Sequence, residues 1–501
     1  MGARTDIVIV GSGIGGSTVA AALAPSGRRI VILERGERLA DCPEARDLEA
    51  IFARHHFRPD ETWFTPAGRG FNPGNYYCVG GNSKLYGAVL VRYRAEDFGA
   101  LGHLGGVSPA WPIGYREIEP WYQRAEEMFG VHGDACQDPT EPPHSGTYPH
   151  PPVPDEPDIA DLRHRLKLAG CHPAALPLGV DVEKWLARGQ TPWDAVPDTT
   201  GAKADGESVG LAQALSYSSV TLETGAQVTR LLTAADGRVR CVEYRQHRRI
   251  RRLAARLVIV AAGAVNSAVL LMRSANDDFP AGLANRSDQV GRNFMNHNTT
   301  AVLALHPLRH NRAVYQKTLM INDFYLSGGP GGAPLGNIQL LGKISAPILA
   351  AAAPTLRPVA GWIARRSVDF YAMSEDLPDP ESRVTVCSNR VVLDWRRSNL
   401  EAHAALVARL GALLRRAGFP VILSRSFDHR TLSHQCGTAR MGRDPGASVV
   451  DRYCRSHDHP NLFVVDAGVL PTSAAVNPAL TVAALALRCA DHVRQTGSIA
   501  A

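Results

Sequence analysis

Short apolar runs followed by small-residue helices recur along this chain. Asp6-Ile-Val-Ile-Val10 has the unbroken apolar character of a parallel strand buried on both faces. Ser17–Ala24 predicts a short helix stopped by Pro25-Ser-Gly27, and Arg28–Glu34 a second strand ending in an acid. Leu257–Gly263 predicts a further buried strand, with a helix from Asn266 to Ser274, and Leu462–Val465 precedes a helix opening at Asn477-Pro478 and running through Val493. Between these, Val220–Glu223, Ala226–Leu232 and Ala88–Tyr93 read as strands. Arg238–Arg245 roughly alternates, as an exposed antiparallel strand does, and the basic string Arg248–Arg252 predicts a solvated hairpin. Trp111-Pro-Ile-Gly114 marks a turn before a helix, residues 133–158 predict an extended surface segment, and Leu400–Ala417 is an amphipathic helix.

The first strand, helix and second strand form a βαβ unit around Gly11-Ser-Gly-Ile-Gly-Gly16. Gly11 lets the chain turn off the strand, Gly13 lets a pyrophosphate approach the backbone, and Gly16 allows close helix–sheet contact. The N-terminus of the helix offers unpaired N–H groups and a positive dipole end to phosphates. Glu34, 23 residues after Gly11, is placed to accept hydrogen bonds from ribose hydroxyls. This predicts dinucleotide binding without separating NAD from FAD. The predicted class is α/β: a Rossmann-like nucleotide-binding domain made of residues 1–110, 206–296 and 431–501, with residues 111–205 and 297–430 inserted as an α+β substrate-binding domain.

Composition narrows the field by exclusion. The chain's 501 residues suffice for two large domains with ordinary cores, and a net charge of +6 gives no support to nucleic-acid binding. The nine cysteines are widely spaced with no CxxC, so neither a zinc site nor a disulfide framework is written, and no metal is expected. His457 and His459 lie in a predicted surface loop without a ligand pattern. The first strand begins too early for a signal peptide, Asp6 breaks a myristoylation pattern, and the longest apolar stretch, Leu257–Val265, is far short of the roughly 20 residues that span a bilayer. A cytoplasmic protein with no membrane partner is the expectation.

Four blocks in order carry a family resemblance: Gly11–Gly16 with Glu34; Gly80-Gly81-Asn82-Ser83 through Gly87; Val258–Ser274; and His434-Gln-Cys-Gly-Thr438 through Asp466 to Asn477-Pro478-Ala-Leu-Thr481. Trp111-Pro-Ile and Val290–His297 add lesser matches. The chain resembles the glucose-methanol-choline (GMC) oxidoreductases, FAD enzymes with a Rossmann-like domain and a substrate domain containing an antiparallel sheet. The resemblance implies that FAD contacts Gly11, Gly13, Ile14, Gly16, Glu34, Arg35, Gly80, Gly81, Asn82, Ser83, Gly87, Ala262, Gly263, Asp466, Ala467, Asn477, Pro478 and Thr481, with the backbone of Val228 at the adenine. It also implies that His434 and Asn477 are the catalytic pair. Some relatives hold flavin covalently through a histidine in the second glycine loop. Ser83-Lys-Leu-Tyr86 has none, so non-covalent FAD is expected. A cysteine cluster found in many bacterial relatives is missing from Trp185–Trp193, so the loop there has diverged.

The chemistry requires these residue types. Oxidising an alcohol means removing the hydroxyl proton, which a neutral imidazole does near pH 7, and passing hydride to flavin N5, while an amide orients the same oxygen. A hydrophilic polyol (a sugar, cyclitol or aminoglycoside-like alcohol) is the expected substrate. The predicted substrate domain, residues 111–205 and 297–430, shows no long apolar loop or amphipathic membrane helix, and Gln339, Glu375 and Asp376 are the expected substrate contacts. A sterol or long-chain alcohol, and a non-redox lyase reaction on the same fold, are the alternatives. The electron acceptor is left open between oxygen and a redox partner.

Overall fold

In a computed structural model, which describes residues 4–189, 191–429, 431 and 433–497, the opening apolar run is the strand Arg4–Val10 inside a seven-stranded sheet. The remaining residues, including both ends of the predicted nucleotide-binding domain, lie outside the described residues. Arg4–Val10 pairs in parallel with Ile30–Leu33 on one side and with the far half of Arg249–Val260 on the other. Val220–Glu223 continues the sheet past Ile30–Leu33, and Leu462–Val464 docks in parallel against Arg249–Val260. The near half of Arg249–Val260 forms the predicted solvated hairpin with Val239–Gln246. His247 and Arg248 turn it with φ of 49° and 64°, the left-handed pair that matches the twist of a two-residue hairpin.

A second sheet has six strands in the order Val421–Ser426, Asn298–Leu305, Ser367–Ser374, Asn337–Leu340, Leu319–Ile321 and Pro173–Ala175, every pair antiparallel. The amphipathic helix Leu400–Arg416 packs across it, burying Leu406, Leu410 and Leu414 against Phe370 and Ile338. The fold is thus mixed α/β, with a Rossmann-like sheet and a separate antiparallel one.

Three features depart from the sequence reading. Ala88–Tyr93 is buried but forms only an isolated bridge at Val89: Ala88 takes a left-handed φ of 57°, and the main-chain pairing is confined to Leu90 N–H donating to the Pro177 carbonyl and Gly179 N–H donating to that of Ala88. The helix Tyr115–Phe129 falls in the stretch predicted for the substrate domain, yet it packs on Ala479–Gln495, with Tyr122 Oη 2.7 Å from Thr481 Oγ1. Arg383–Cys387 and Arg390–Asp394 join Trp63–Phe64 and Gly70–Phe71 in a four-stranded sheet that stitches the two predicted parts together.

Arg92 ties these parts together from inside. Its guanidinium pairs with Glu126 through two bonds of 2.7 and 2.6 Å and donates to Tyr115 and Glu119, and both Arg92 and Glu126 are fully buried. Truncating one partner strands the other charge in the core. Arg92→Ala is expected to cost about 3–5 kcal/mol in urea denaturation. A loss under ~1 kcal/mol, the worth of an exposed pair, would contradict this.

Candidate functional site

The two sheets enclose one large cavity of about 1910 Å³, well above the roughly 300–1,000 Å³ of a single small-ligand pocket. One end is the first glycine loop. A Cβ on Gly11 would lie 2.4 Å from the Ala261 carbonyl oxygen, and one on Gly16 would lie 2.1 Å from that of Gly11. These glycines serve backbone packing. Gly13 differs: a Cβ there would meet only the Gly80 oxygen, at 4.0 Å, so its bareness keeps open space in front of the helix Ile14–Leu23. That helix start carries no side-chain cap, which leaves its N–H groups to a ligand. This is the cradle a pyrophosphate needs, and Gly13, Ile14, Arg35, Asn82, Ser83, Val228, Gly263, Ala467 and Pro478 all line the same cavity.

The other end holds His434, which is tied into place by its backbone. Its N–H donates to Asn296 Oδ1 at 2.9 Å, and Cys436 pairs with Met295. Gly437, at φ 90°, runs so close to Asn293 that a Cβ would fall 2.1 Å from its carbonyl oxygen. Thr438 Oγ1 donates to the Ala264 carbonyl at 2.6 Å. The HxxGT spacing therefore pins His434 between two neighbouring segments.

His434 Nδ1 lies 2.8 Å from His297 Nδ1, and His297 Nε2 lies 2.9 Å from the Ser473 carbonyl oxygen. On the other side Asn477 Nδ2 is 3.3 Å from His434 Nε2, and Gln339 Nε2 donates to Asn477 Oδ1 at 2.9 Å. A carbonyl oxygen only accepts, so His297 Nε2 carries hydrogen. Burial lowers the basicity of His297 and keeps it neutral, so its Nδ1 accepts, and His434 Nδ1 must donate. His434 Nε2 is left with its lone pair facing Asn477. The reverse direction would require a buried imidazolium at His297. Burial, then the neighbouring His297 and Lys317, push the basicity of His434 well below the usual imidazole value. It is a neutral base whose free nitrogen and adjacent amide can grip one hydroxyl group.

Residues 78–299 match the GMC oxidoreductase N-terminal family description, residues 385–486 the C-terminal one, and residues 9–66 an NAD(P)-binding Rossmann-like domain. The chain is 30% identical to a 6'''-hydroxyparomomycin C oxidase of Streptomyces lividus, across 96% of this chain and 90% of the relative. It is also 30% identical to a paromamine 6'-oxidase of Streptomyces fradiae, across 97% and 91%. The fold is similar to that of a pyridoxine 4-oxidase from Mesorbium loti, with a TM-score of 0.69 at 21% identity over 98% of this chain and 99% of that one. The chain belongs to the GMC oxidoreductase family. It is an alcohol oxidoreductase with a flavin cofactor, and among the described residues no helix is long and apolar enough to cross a membrane.

This GMC oxidoreductase places several expected residues elsewhere. Glu375 and Asp376 do not line the cavity. Glu375 accepts from Ser108 and lies 3.1 Å from His103 Nε2. Asp376 accepts from Asn296 N, Trp395 Nε1 and Ser398, and its backbone N–H reaches Ser473 Oγ. Asp376 thereby braces both Asn296 and Ser473, the supports of His434 and His297. Gln339 also stays off the cavity wall and orients Asn477 instead. Thr481 is buried against Tyr122, and neither Gly16 nor Gly80 lines the cavity. Gly80 instead donates to Ser12 Oγ and brings the second glycine loop against the first. Glu34 lines the cavity, but its carboxylate is already engaged by Ser12 N, Ser12 Oγ and Gly36 N, so it also orders the loop. Asp466 crosslinks Gly263, Ser267 and Gly468, while Gly81, Gly87 and Ala262 lie on the wall. The absence of an apolar loop is corrected as well: Ala346–Ala352 and the turn after it line one wall with Ile348, Leu349 and Leu356. Sequence reading missed the role of His297, visible only as the end of a matched block, and it missed Asp194 and Lys317 altogether.

His297 is a positioning residue. His297→Leu is expected to slow flavin reduction about 10- to 100-fold, with His297→Gln recovering much of the loss because its amide oxygen can accept from His434 Nδ1. In the wild type the reduction rate should hold level from pH 8 down through 6.5, because the base is already unprotonated there, and fall only at more acidic pH. Stopped-flow rates against pH check both. A fall centred at or above pH 6.5, or equal losses in the Leu and Gln variants, would contradict the assignment.

Proposed function

We propose that this enzyme binds FAD non-covalently and oxidises a CH–OH group of a hydrophilic polyol, a sugar, cyclitol or aminoglycoside-like alcohol, to a carbonyl. One observation carries the reading: the lone-pair nitrogen of His434 and the amide of Asn477 converge on a cavity whose far end is an open glycine cradle. The flavin supplies the hydride acceptor when bound. His434 Nε2 takes the hydroxyl proton, and its Nδ1–H donates more strongly to His297 as positive charge develops on the ring. Asn477, held by Gln339, keeps its N–H directed at the reacting oxygen and stabilises developing alkoxide charge without itself titrating. The polar groups at this end, including Tyr371, Lys317 and Asp194, favour a hydroxylated substrate, as do the two relatives named for oxidising aminoglycosides. The apolar wall of Ile348, Leu349 and Leu356 favours a second reading, in which the alcohol carries an apolar portion as a sterol or long-chain alcohol does.

Anaerobic mixing with a panel of sugars, cyclitols, aminoglycosides, sterols and long-chain alcohols separates these readings. Polyols are expected to bleach the flavin fastest; preference for sterols or fatty alcohols would support the second reading, and bleaching by none would remove both. His434→Ala should retain flavin and lose about 10²–10⁴-fold in reduction rate, with Asn477→Ala impaired at the same step. Wild-type rates in His434→Ala would overturn the base assignment.

Non-covalent attachment has its own test. Among the residues lining the cavity at the second glycine loop, Asn82, Ser83, Leu85 and Tyr86, none is a histidine or cysteine. Acid precipitation is expected to release all the flavin into the supernatant as FAD. Yellow colour retained in the washed pellet would contradict this.

A further inference from the structure

Against Gly87, the end of the second glycine loop, the cavity carries an ion pair with no part in proton removal by His434 and Asn477. Lys317 Nζ donates to Asp194 Oδ2 at 2.7 Å, and Gly342 N–H donates to the same oxygen at 3.0 Å. Both side chains line the cavity with His434, Asn477 and Tyr371. Gly342, which holds Asp194, closely follows the strand Asn337–Leu340, whose Gln339 holds Asn477 and pairs in register with Tyr371, so the pair stands toward the His434–Asn477 end of the cavity.

The pair is built in rather than draped over the surface. Gly87 makes room for it: a Cβ there would fall 2.6 Å from Asp194 Oδ1 and 2.8 Å from Lys317 Cε. The loop delivering Asp194 is anchored by Trp193, which stacks on Tyr315 with ring centroids 5.0 Å apart and donates from Nε1 to the Gly87 carbonyl at 3.2 Å. Buried Lys203 clamps the same loop by donating to the carbonyls of Tyr86, Trp193 and Val196 at 2.9, 3.4 and 2.8 Å. Ala195, beside Asp194, is held at φ 59°, a conformation that a residue with a Cβ rarely adopts. An ion pair held this firmly in a cavity presents an acceptor and a donor at fixed separation.

We propose that Asp194 and Lys317 read the hydroxyl group next to the one being oxidised, so that the substrate class is a neutral vicinal diol within a sugar or cyclitol. This rests on the polyol-oxidising reading of the same cavity. Asp194 Oδ1 accepts from one O–H, and Lys317 Nζ, which gives one proton to Asp194, has further protons to donate to the oxygen of the other. Charge argues against an ammonium group as the preferred neighbour. The acids lining this half are Asp194 and Asp428, against Lys317, Lys343, Arg357 and Arg425, and a substrate cation at Asp194 would sit beside the Lys317 ammonium.

The test uses the holoenzyme and three probe classes: vicinal diols (1,2-propanediol, trans-1,2-cyclohexanediol, myo-inositol), matched mono-ols (1-propanol, cyclohexanol) and matched amino alcohols with a single hydroxyl (1-amino-2-propanol, trans-2-aminocyclohexanol). Anaerobic flavin reduction gives the half-saturating concentration, and calorimetry on the oxidised enzyme gives binding without turnover. Diols are expected to half-saturate at concentrations about tenfold or more below mono-ols and amino alcohols. Asp194→Asn and Lys317→Met should each weaken diol binding about tenfold or more beyond any effect on mono-ols, with flavin content retained, and Lys317→Arg should recover part of the loss. Mono-ols or amino alcohols binding as well as diols, or Asp194→Asn weakening every class equally, would overturn the proposal while leaving polyol oxidation in place. Flavin left oxidised by every alcohol would instead overturn the functional reading on which it rests.

Discussion

A single hydrogen-bonded chain runs from the Ser473 carbonyl through His297, His434 and Asn477 to Gln339, and its direction is fixed by the end that cannot donate. Because a carbonyl oxygen accepts only, His297 Nε2 carries hydrogen; because burial keeps His297 neutral, its Nδ1 accepts from His434, and His434 Nε2 is left unprotonated at the cavity. Burial reinforces this by making a charged imidazole costly at both histidines. The fold's task is therefore to bring five groups from four separate stretches of sequence into one line.

The two sheets divide that task. Gln339 sits on the antiparallel sheet in register with Tyr371, and His297 immediately precedes the strand Asn298–Leu305 of that sheet. Asn477 stands just ahead of the helix Ala479–Gln495, whose packing on Ile14–Leu23 and Tyr115–Phe129 belongs to the nucleotide side. His434 lies between them, pinned by Gly437 against Asn293 and by Thr438 against Ala264. His434 thus stands where the two sheets meet, while the glycine cradle and the Asp194–Lys317 pair occupy other parts of the same cavity.

Legibility in the sequence followed the range of the interaction. Gly11, Gly13 and Gly16 do local backbone work, so their spacing revealed the cradle, and the HxxGT and NPxLT blocks pointed to His434 and Asn477. Glu375 and Asp376 misled because an acidic pair looks the same in sequence whether it faces a ligand or braces a buried loop. Only their partners Ser108, Asn296, Trp395 and Ser398, which are far from the pair in sequence or lie on another segment, decide between the two. Asp194 and Lys317 carried no local signal, because 123 residues separate them and their meaning lies in their contact. The loop at 185–193 stood out as divergent, and the structure adds that the segment continuing from it delivers Asp194 to the cavity. The apolar wall of Ala346–Ala352 was missed because its alanines are unremarkable in composition and gain meaning only from the surface they line.

The most direct test of this account is the proton position on His434. Nitrogen-15 NMR of the holoenzyme, labelled at histidine and assigned by comparison with His434→Gln, reports which ring nitrogens carry hydrogen. The expected result is a neutral His434 at pH 7 with hydrogen on Nδ1 and none on Nε2, beside a neutral His297 protonated on Nε2. Hydrogen on His434 Nε2, in either the other tautomer or the imidazolium, would contradict it.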